Sequence, residues 1–442
     1  MLKVIPKSIT IKNFKCLRDV HIPLTKLNIV VGPNSSGKTS IIEALYLFKL
    51  VLKHVQGSVP NPFLYWWSYR DVVWSHDEKL NIELGIEFTT TWKPYEESEQ
   101  RIMKMFLESD IIEFSKVEYR VNISGRGGFR ILEEKLSIPE MNLEIVCREG
   151  NCIFSYEGAK YDSDLYEFGY RNLLEVTYES FRVYSYEDRR DWESVVDNVI
   201  PFLEDSIARL IPDELRELLK SKHETFHYYY YGIASALASL YVLLDRMVIL
   251  FPEAPFRARE PTRVTRVDIP SPFGDDLASF LLTMYGGRIP EGARSSLSYV
   301  LDSPDIDVRV VPTTDGRVFL EVVESGVGFN PPSISNGLLK VLIVELALDM
   351  SSPLIAVDEF ENSLHIRAVH RLLDDVRNSD SVFIATTHSP AVIDLVKPSE
   401  VIIVERKGLE AHPRRFEDPE ALARRLRELG VTLGEYLGYI AP

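Results

Sequence analysis

Apolar positions alternate over residues 7 to 14 (Ile9, Ile11, then Phe14), and the run "KLNIVVG" follows. The alternation predicts a strand, and the run predicts a second, more deeply buried one; the two are expected as a strand pair leading into the glycine loop. Residues 41 to 55, "IIEALYLFKLVLKHV", carry the spacing of an amphipathic helix. "KLNIELGIEFTT" and "FSKVEYRVNISGRGGFRILEEKLSI" alternate again and predict antiparallel strands, with "SGRGG" as a hairpin turn. "NLEIVCREGNCIFSYEG" predicts a further hairpin, turning at Gly150-Asn151.

From about residue 188 to 250 the period becomes helical. "DWESVVDNVIPFLEDSIARLI" and "PDELRELLKSKHETF" have 3.6-type spacing, with Pro212 at a helix start. "GIASALASLYVLLDRMVILF" is interrupted by Asp245 and Arg246 and reads as a core helix. "PFRAREPTRVTRVDIPSPFG" is loop and strand, and "DDLASFLLTMY" is a short helix. "DIDVRVVPTTDGRVFLEVVE" is a hairpin turning at Asp315-Gly316. The last third alternates helix and strand, which implies a parallel sheet. The expected boundaries are 1–185 for a first part with the antiparallel lobe, 186–255 for a helical insertion, and 256–442 for the closing part. There is no internal repeat and no long heptad series.

Composition narrows the class without changing that picture. The chain of 442 residues is 45% apolar and 26% charged, as in soluble globular proteins. No apolar run has the length of a membrane span, and "MLKVIPKSITIKNF" does not read as a signal peptide. Cys16, Cys147 and Cys152 form no C-x-x-C pair, so neither a disulfide framework nor a zinc site is expected, and a cytoplasmic location is. Glutamine occurs only at Gln56 and Gln100; low glutamine beside abundant Arg and Glu is a leaning of heat-adapted chains. A net charge of −16 excludes a surface basic all over, but leaves room for a local basic groove.

The candidate chemistry begins between the first buried strand and its helix. Residues 32–40 read "GPNSSGKTS", the pattern G-x-x-x-x-G-K-[ST] carried by Gly32, Gly37, Lys38 and Thr39. A phosphate chain needs inward backbone N–H groups, which Gly32, Asn34, Ser35, Ser36 and Gly37 can supply where no side chain blocks the approach. It needs a helix N-terminus behind it, at Lys38 to Ser40. Lys38 supplies the cation and Thr39 a hydroxyl for Mg²⁺.

Three later stretches extend this loop. "SSPLIAVDEFENSLH" ends an apolar strand in Asp358-Glu359. Carboxylates there are costly unless employed: Asp358 can hold Mg²⁺ and Glu359 can polarise an attacking water. "SVFIATTHSPAVID" ends a second apolar strand at Thr387-His388-Ser389, placing His388 as a γ-phosphate contact. In "PPSISNGLLKVLIVELAL", Ser335 can cap a helix and Gly337 permits close backbone approach.

In this order the motifs resemble the ABC-type ATPase head of the SMC and RecF class, and more closely the OLD (overcoming-lysogenization-defect) type of prokaryotic ATPase. The stretches "IKNFKCLRDVHIPLTKLNIVVGPNSSGKTSIIEAL", "FRAREPTRVTRV", "FGDDLASFL", "SGVGFNPPSISNGLLKVLIVELAL", "AVDEFENSLH" and "ATTHSPAVID" carry the likeness over about half the chain. The resemblance implies an α/β P-loop NTPase of ABC-ATPase type with an antiparallel β lobe and a helical insertion. It implies ATP and Mg²⁺ as cofactors, with Lys38, Glu359 and His388 catalytic and Thr39 and Asp358 at the metal. It further implies that Ser335 and Gly337 contact nucleotide bound to a second copy, and that Asn362, Ser363 and Leu364 cross that interface. "ISNGL" stands where Leu-Ser-Gly-Gly-Gln is usual, so Leu338 replaces a polar residue, and neither glutamine takes the Mg²⁺-sensing place. Slow or partner-stimulated turnover is the expectation.

Two biological readings follow: a DNA-handling ATPase of repair or phage defence, or a regulatory switch on a partner nuclease or toxin that does not itself bind DNA. OLD-type proteins often carry a separate nuclease domain of the TOPRIM kind, and residues 389–442 are too short to build one, so no nuclease activity is expected of this chain. Tyr228 to Tyr231 read as core. Arg257, Arg259, Arg263 and Arg266 read equally as phosphate contacts or as a solvated face, and Arg424, Arg425 and Arg427 as the wet side of a helix.

Overall fold

The computed structural model describes residues 2–93, 111–184, 199, 200, 203, 206–221 and 225–440. Most of the helix expected over "DWESVVDNVIPFLED" lies outside these residues. The strands are β1 (Leu2–Phe14), β2 (Leu17–Pro23), β3 (Leu27–Val31), β4 (Ile82–Trp92), β5 (Ile112–Ser124), β6 (Arg130–Ile138), β7 (Leu143–Arg148), β8 (Asn151–Tyr156) and β9 (Ala159–Asp164). The second half contributes β10 (Val248–Leu250), β11 (Thr262–Arg263), β12 (Asp307–Pro312), β13 (Arg317–Glu324), β14 (Val327–Phe329), β15 (Leu354–Val357), β16 (Val382–Thr386), β17 (Val401–Lys407) and β18 (Glu410–Arg414).

The chain divides into two compact units, one of residues 1–23 and 43–245, the other of residues 24–42 and 246–442. The division falls inside the helix Lys38–Val55. Strand pairing, which ignores chain order, decides what packs with what.

The first unit holds an antiparallel sheet in the order β2-β1-β4-β5-β6-β7-β8-β9. Strands such as β2 and β5 alternate covered and exposed positions, as a sheet with one covered face requires. The hairpin after β7 turns at Glu149-Gly150, one residue before the expected site, with both residues in the left-handed region. That turn sets Cys147 opposite Cys152, and the two form a disulfide. The expectation of unpaired cysteines is therefore corrected. Spacing alone hid the pair, because it is made across strands and not within a C-x-x-C turn. The polar strand β9 was not foreseen, since "AKYDSD" has no apolar alternation.

Two buried groups organise this unit. Glu134 accepts hydrogen bonds from the Tyr119 hydroxyl (2.6 Å) and from the N–H groups of Leu173 (2.7 Å) and Leu174 (3.1 Å), so it serves the start of helix Leu173–Tyr184. Burial raises its carboxyl above the usual range, against these donors. Asp245 ends the helix Thr225–Asp245; "GIASALASLYVLLDRMVILF" is thus a helix to Asp245, followed by strand β10. Its carboxylate accepts from Lys53 Nζ (2.9 Å) and Gln56 Nε2 (3.0 Å), while Lys49 Nζ bonds its carbonyl (3.1 Å). Tyr229 and Tyr230 of the same helix are buried.

The second unit holds a six-stranded sheet, β10-β15-β16-β3-β17-β18, parallel except for β18. Strands β3, β15 and β16 are buried at every position, as expected of strands covered on both faces. A smaller sheet runs β11-β13-β12, with β14 on β13. The helix Asn336–Asp349 lies in the core with Leu339, Val341, Leu342 and Ile343 fully or nearly fully enclosed. Among the described residues no helix is long and apolar enough to cross a membrane.

Asp245 yields a stability test. Burial opposes its charge, but Lys53 and Lys49 outweigh burial and hold the carboxyl below its ordinary value. A depressed folded pKa gives stability that is full above the unfolded value of about 3.9 and is lost as pH falls towards the folded one. Asp245→Ala should cost about 3 kcal/mol at pH 7 in urea unfolding, since Lys49 and Lys53 lose their counter-charge. The difference from the parent should shrink when the same titration is run at pH 3.

Candidate functional site

Parallel strands share one carboxyl end, and three of them deliver polar residues there. β3 runs into the glycine loop, β15 into Asp358-Glu359, and β16, which lies between them, into Thr387-His388. The apolar interiors of these strands fix their positions, and their ends are the first places where polar groups can emerge.

The loop is held from the side by β17. A Cβ added at Gly32 would stand 2.3 Å from the Val404 carbonyl oxygen, so no larger residue fits there. Ser35 is left-handed (φ 60°), and its carbonyl accepts from Arg406 Nη1 at 2.8 Å. Asn34 and Ser35 are exposed, Ser36 and Ser40 are buried, and the Ser36 hydroxyl has no hydrogen-bond partner. Lys38 is 5% exposed, and its Nζ donates to the carbonyls of Gly32 and Pro33, both at 2.9 Å. Burial lowers the Lys38 pKa, while Asp358, Glu361 and Glu359 oppose that shift.

The sequence-predicted residues Thr39 and Asp358 meet although 319 positions separate them. Thr39 Oγ1 donates to Asp358 Oδ1 at 3.2 Å. The same oxygen accepts from the Thr386 hydroxyl, which in turn accepts the Glu359 N–H at 2.8 Å. Asp358 is 3% exposed, and its N–H donates to the Leu250 carbonyl. Glu359 itself is exposed and left-handed (φ 48°), with its carboxylate 3.3 Å from Asn362 Nδ2. His388 is exposed, and its N–H donates to Glu361 Oε1 at 2.7 Å.

Ser335 caps the helix Asn336–Asp349 by accepting the Leu338 N–H at 3.2 Å. Gly337 approaches its own chain closely: an added Cβ would lie 2.5 Å from the Ser363 carbonyl. These two residues are therefore set on the loop that follows the Asp-Glu pair. Leu338 is buried and the Asn336 side-chain oxygen lacks a partner.

Four residues escaped the sequence reading. Thr386 and Glu361 directly adjoin the named Thr387 and Asn362, and their polarity after an apolar strand was a usable signal. Lys340 is 1% exposed, and its Nζ donates to the carbonyls of Glu359 (2.5 Å) and Asn362 (3.3 Å). Burial pulls its pKa down to about 8, against Glu361, Glu359 and Asp358. A lone cation inside "NGLLKVLIVELAL" was legible as an anomaly. Arg406 was not, because its role depends on strand order.

Glycine loop, helix start and strand-end carboxylates on a parallel sheet, with an antiparallel sheet in the other unit, define an α/β fold of P-loop type. The family model described as "AAA domain, putative AbiEii toxin, Type IV TA system" matches residues 27–394, and the chain belongs to that family. Over 41 residues it is 49% identical to a protein named OLD nuclease from Thermus scotoductus (strain ATCC 700910 / SA-01), a match covering 9% of this chain and 8% of that protein. Among solved structures, it is similar to the Smc head domain with an extended coiled coil bound to the C-terminal domain of ScpA, derived from Pyrococcus furiosus. That match has a TM-score of 0.43 and 14% identity, and covers 97% of this chain and 100% of that one. The SMC head domain from Thermotoga maritima matches with a TM-score of 0.37 and 12% identity, covering 94% of this chain and 100% of that one.

Thr386→Val keeps the shape of the side chain and deletes the hydroxyl that serves both Asp358 and the Glu359 N–H. Leaving these groups unsatisfied should cost about 1–3 kcal/mol, measured by chemical denaturation.

Proposed function

We propose that the chain binds ATP with Mg²⁺ and hydrolyses it to ADP and phosphate, as two copies that engage when nucleotide is bound. The observation that carries this reading is the meeting of Lys38, Thr39 and Asp358 at the carboxyl ends of β3 and β15. Thr39 and Asp358 are oxygen donors 3.2 Å apart, a donor set that suits Mg²⁺. The buried Ser36 hydroxyl, which has no hydrogen-bond partner, leaves a polar group in the loop for an anion to engage. Bound nucleotide supplies the phosphoanhydride bond that is broken. Lys38 exchanges its two carbonyl partners for phosphate oxygens. Glu359, exposed at the strand end, orients the attacking water, and His388 stands at the γ-phosphate. Ser335 and Gly337 present the start of their helix to nucleotide held by the second copy. Leu338, where a polar residue is usual, makes turnover slow or dependent on a partner.

The biological setting is DNA maintenance or phage defence, in the cytoplasm. The net charge of −16 supports a second version, in which the ATPase switches a partner nuclease or toxin and does not itself bind DNA. DNA affinity that falls steeply with salt would decide for the first version, and absence of binding at low salt for the second.

Lys38→Ala should abolish binding of ATP–Mg²⁺ in a chain that still folds; unchanged affinity would end the nucleotide assignment. Glu359→Gln should bind ATP yet hydrolyse it on the order of 10²–10⁴-fold more slowly, accumulating an ATP-dependent dimer visible by light scattering. Cross-linking near Ser335 reports head engagement separately, in case the copies also associate elsewhere.

A further inference from the structure

The helix Asn336–Asp349 is apolar except for Lys340 and Glu345 in its middle, and Lys340 is almost wholly enclosed. An ammonium group in such a place is expensive, and a methionine would fill the same volume without that cost. What the lysine does there is specific. Its Nζ bonds two main-chain carbonyls of one loop, those of Glu359 and Asn362. The first belongs to a residue held in the left-handed region, a conformation that a non-glycine residue adopts only with support from its surroundings.

One helical turn earlier, Gly337 touches the same loop at the Ser363 carbonyl, with no space for a Cβ. Positions 337 and 340 lie on one face of the helix. The helix and loop 359–363 are thus fastened twice, once by contact and once by hydrogen bonds, and each must follow the other. The loop carries Glu359, and the helix start carries Ser335.

We propose that Lys340 is a positioning residue that fixes the Glu359 backbone and couples it to the helix start at Ser335. On the ATPase reading above, on which this inference rests, docking of a second copy at Ser335 is passed through Lys340 to the residue that orients water. Lys340 acts through the Glu359 carbonyl.

The test compares the parent chain with Lys340→Met and Lys340→Arg. Binding of a fluorescent ATP analogue and steady-state hydrolysis are measured over a range of protein concentrations. In the parent, activity per chain should rise with concentration as copies engage. Lys340→Met should keep analogue affinity within about twofold while kcat falls by up to the order of 10²-fold, the scale of a group misplaced by about 1 Å. Its activity per chain should no longer depend on concentration. Lys340→Arg, which keeps a donor, should recover part of the loss. If Lys340→Met does not fold, Lys340→Gln, whose shorter amide cannot span both carbonyls, is read by the same assays.

Parental kcat and concentration dependence in the folded Met or Gln variant would overturn the proposal. So would equal losses in binding and kcat that track a lowered Tm, the mark of a merely structural lysine. A parent chain that neither binds the analogue nor hydrolyses ATP would instead overturn the ATPase reading itself.

Discussion

Asp358 is a carboxylate 3% exposed at the end of a strand whose other residues are apolar, and the surrounding site is built to satisfy it. One of its oxygens takes hydrogen bonds from Thr39 and Thr386, each from a different segment of chain. Its own N–H is anchored to Leu250 on the neighbouring strand. A buried charge with fewer partners would be costly enough to reshape the strand ends around it. Serving Asp358 therefore fixes three things together: the glycine loop through Thr39, the β16 end through Thr386, and the register of β15 against β10.

That constraint explains why so much of the site was legible in the sequence and why some was not. The phosphate loop and the Asp-Glu and His stretches each consist of an apolar strand followed at once by polar residues, a pattern visible in a single line of sequence. Their meeting followed from expecting a parallel sheet. Lys340 stood out as a cation in an apolar helix, but its partners, like those of Arg406, were invisible because they are main-chain carbonyls, which every residue has and no motif records. Spacing likewise failed for Cys147 and Cys152, which are joined by a hairpin register. Pairing of distant segments is of the same kind: β3, from the first part of the chain, lies between β16 and β17 of the last part.

Glycines show how one residue type serves two ends. Gly32 and Gly337 were read as places where a phosphate could approach the backbone. In the fold each is already required by the protein itself, Gly32 by the Val404 carbonyl and Gly337 by the Ser363 carbonyl. These readings are compatible, since a backbone pressed against its neighbour on one side is held still on the other. A loop braced by β17 and by Arg406 is pre-organised for an anion, which reduces the ordering cost of binding.

The Thr386 hydroxyl shows how such bracing can also transmit. It has one hydrogen, given to Asp358, and it accepts the Glu359 N–H with a lone pair. Its orientation is therefore fixed by two adjacent residues with different proposed tasks, one at the metal and one at the water. If Asp358 shifts towards a cation shared with Thr39, the hydroxyl must turn with it or lose its acceptor. Either change is felt at the Glu359 N–H, while the Glu359 carbonyl is held from the opposite side by Lys340. The peptide groups on either side of Glu359 are thus gripped by separate elements, β16 and the helix Asn336–Asp349. A residue held in this way does not drift with solvent. Its backbone moves only when one of those elements moves, as the proposed dependence on an engaged second copy requires.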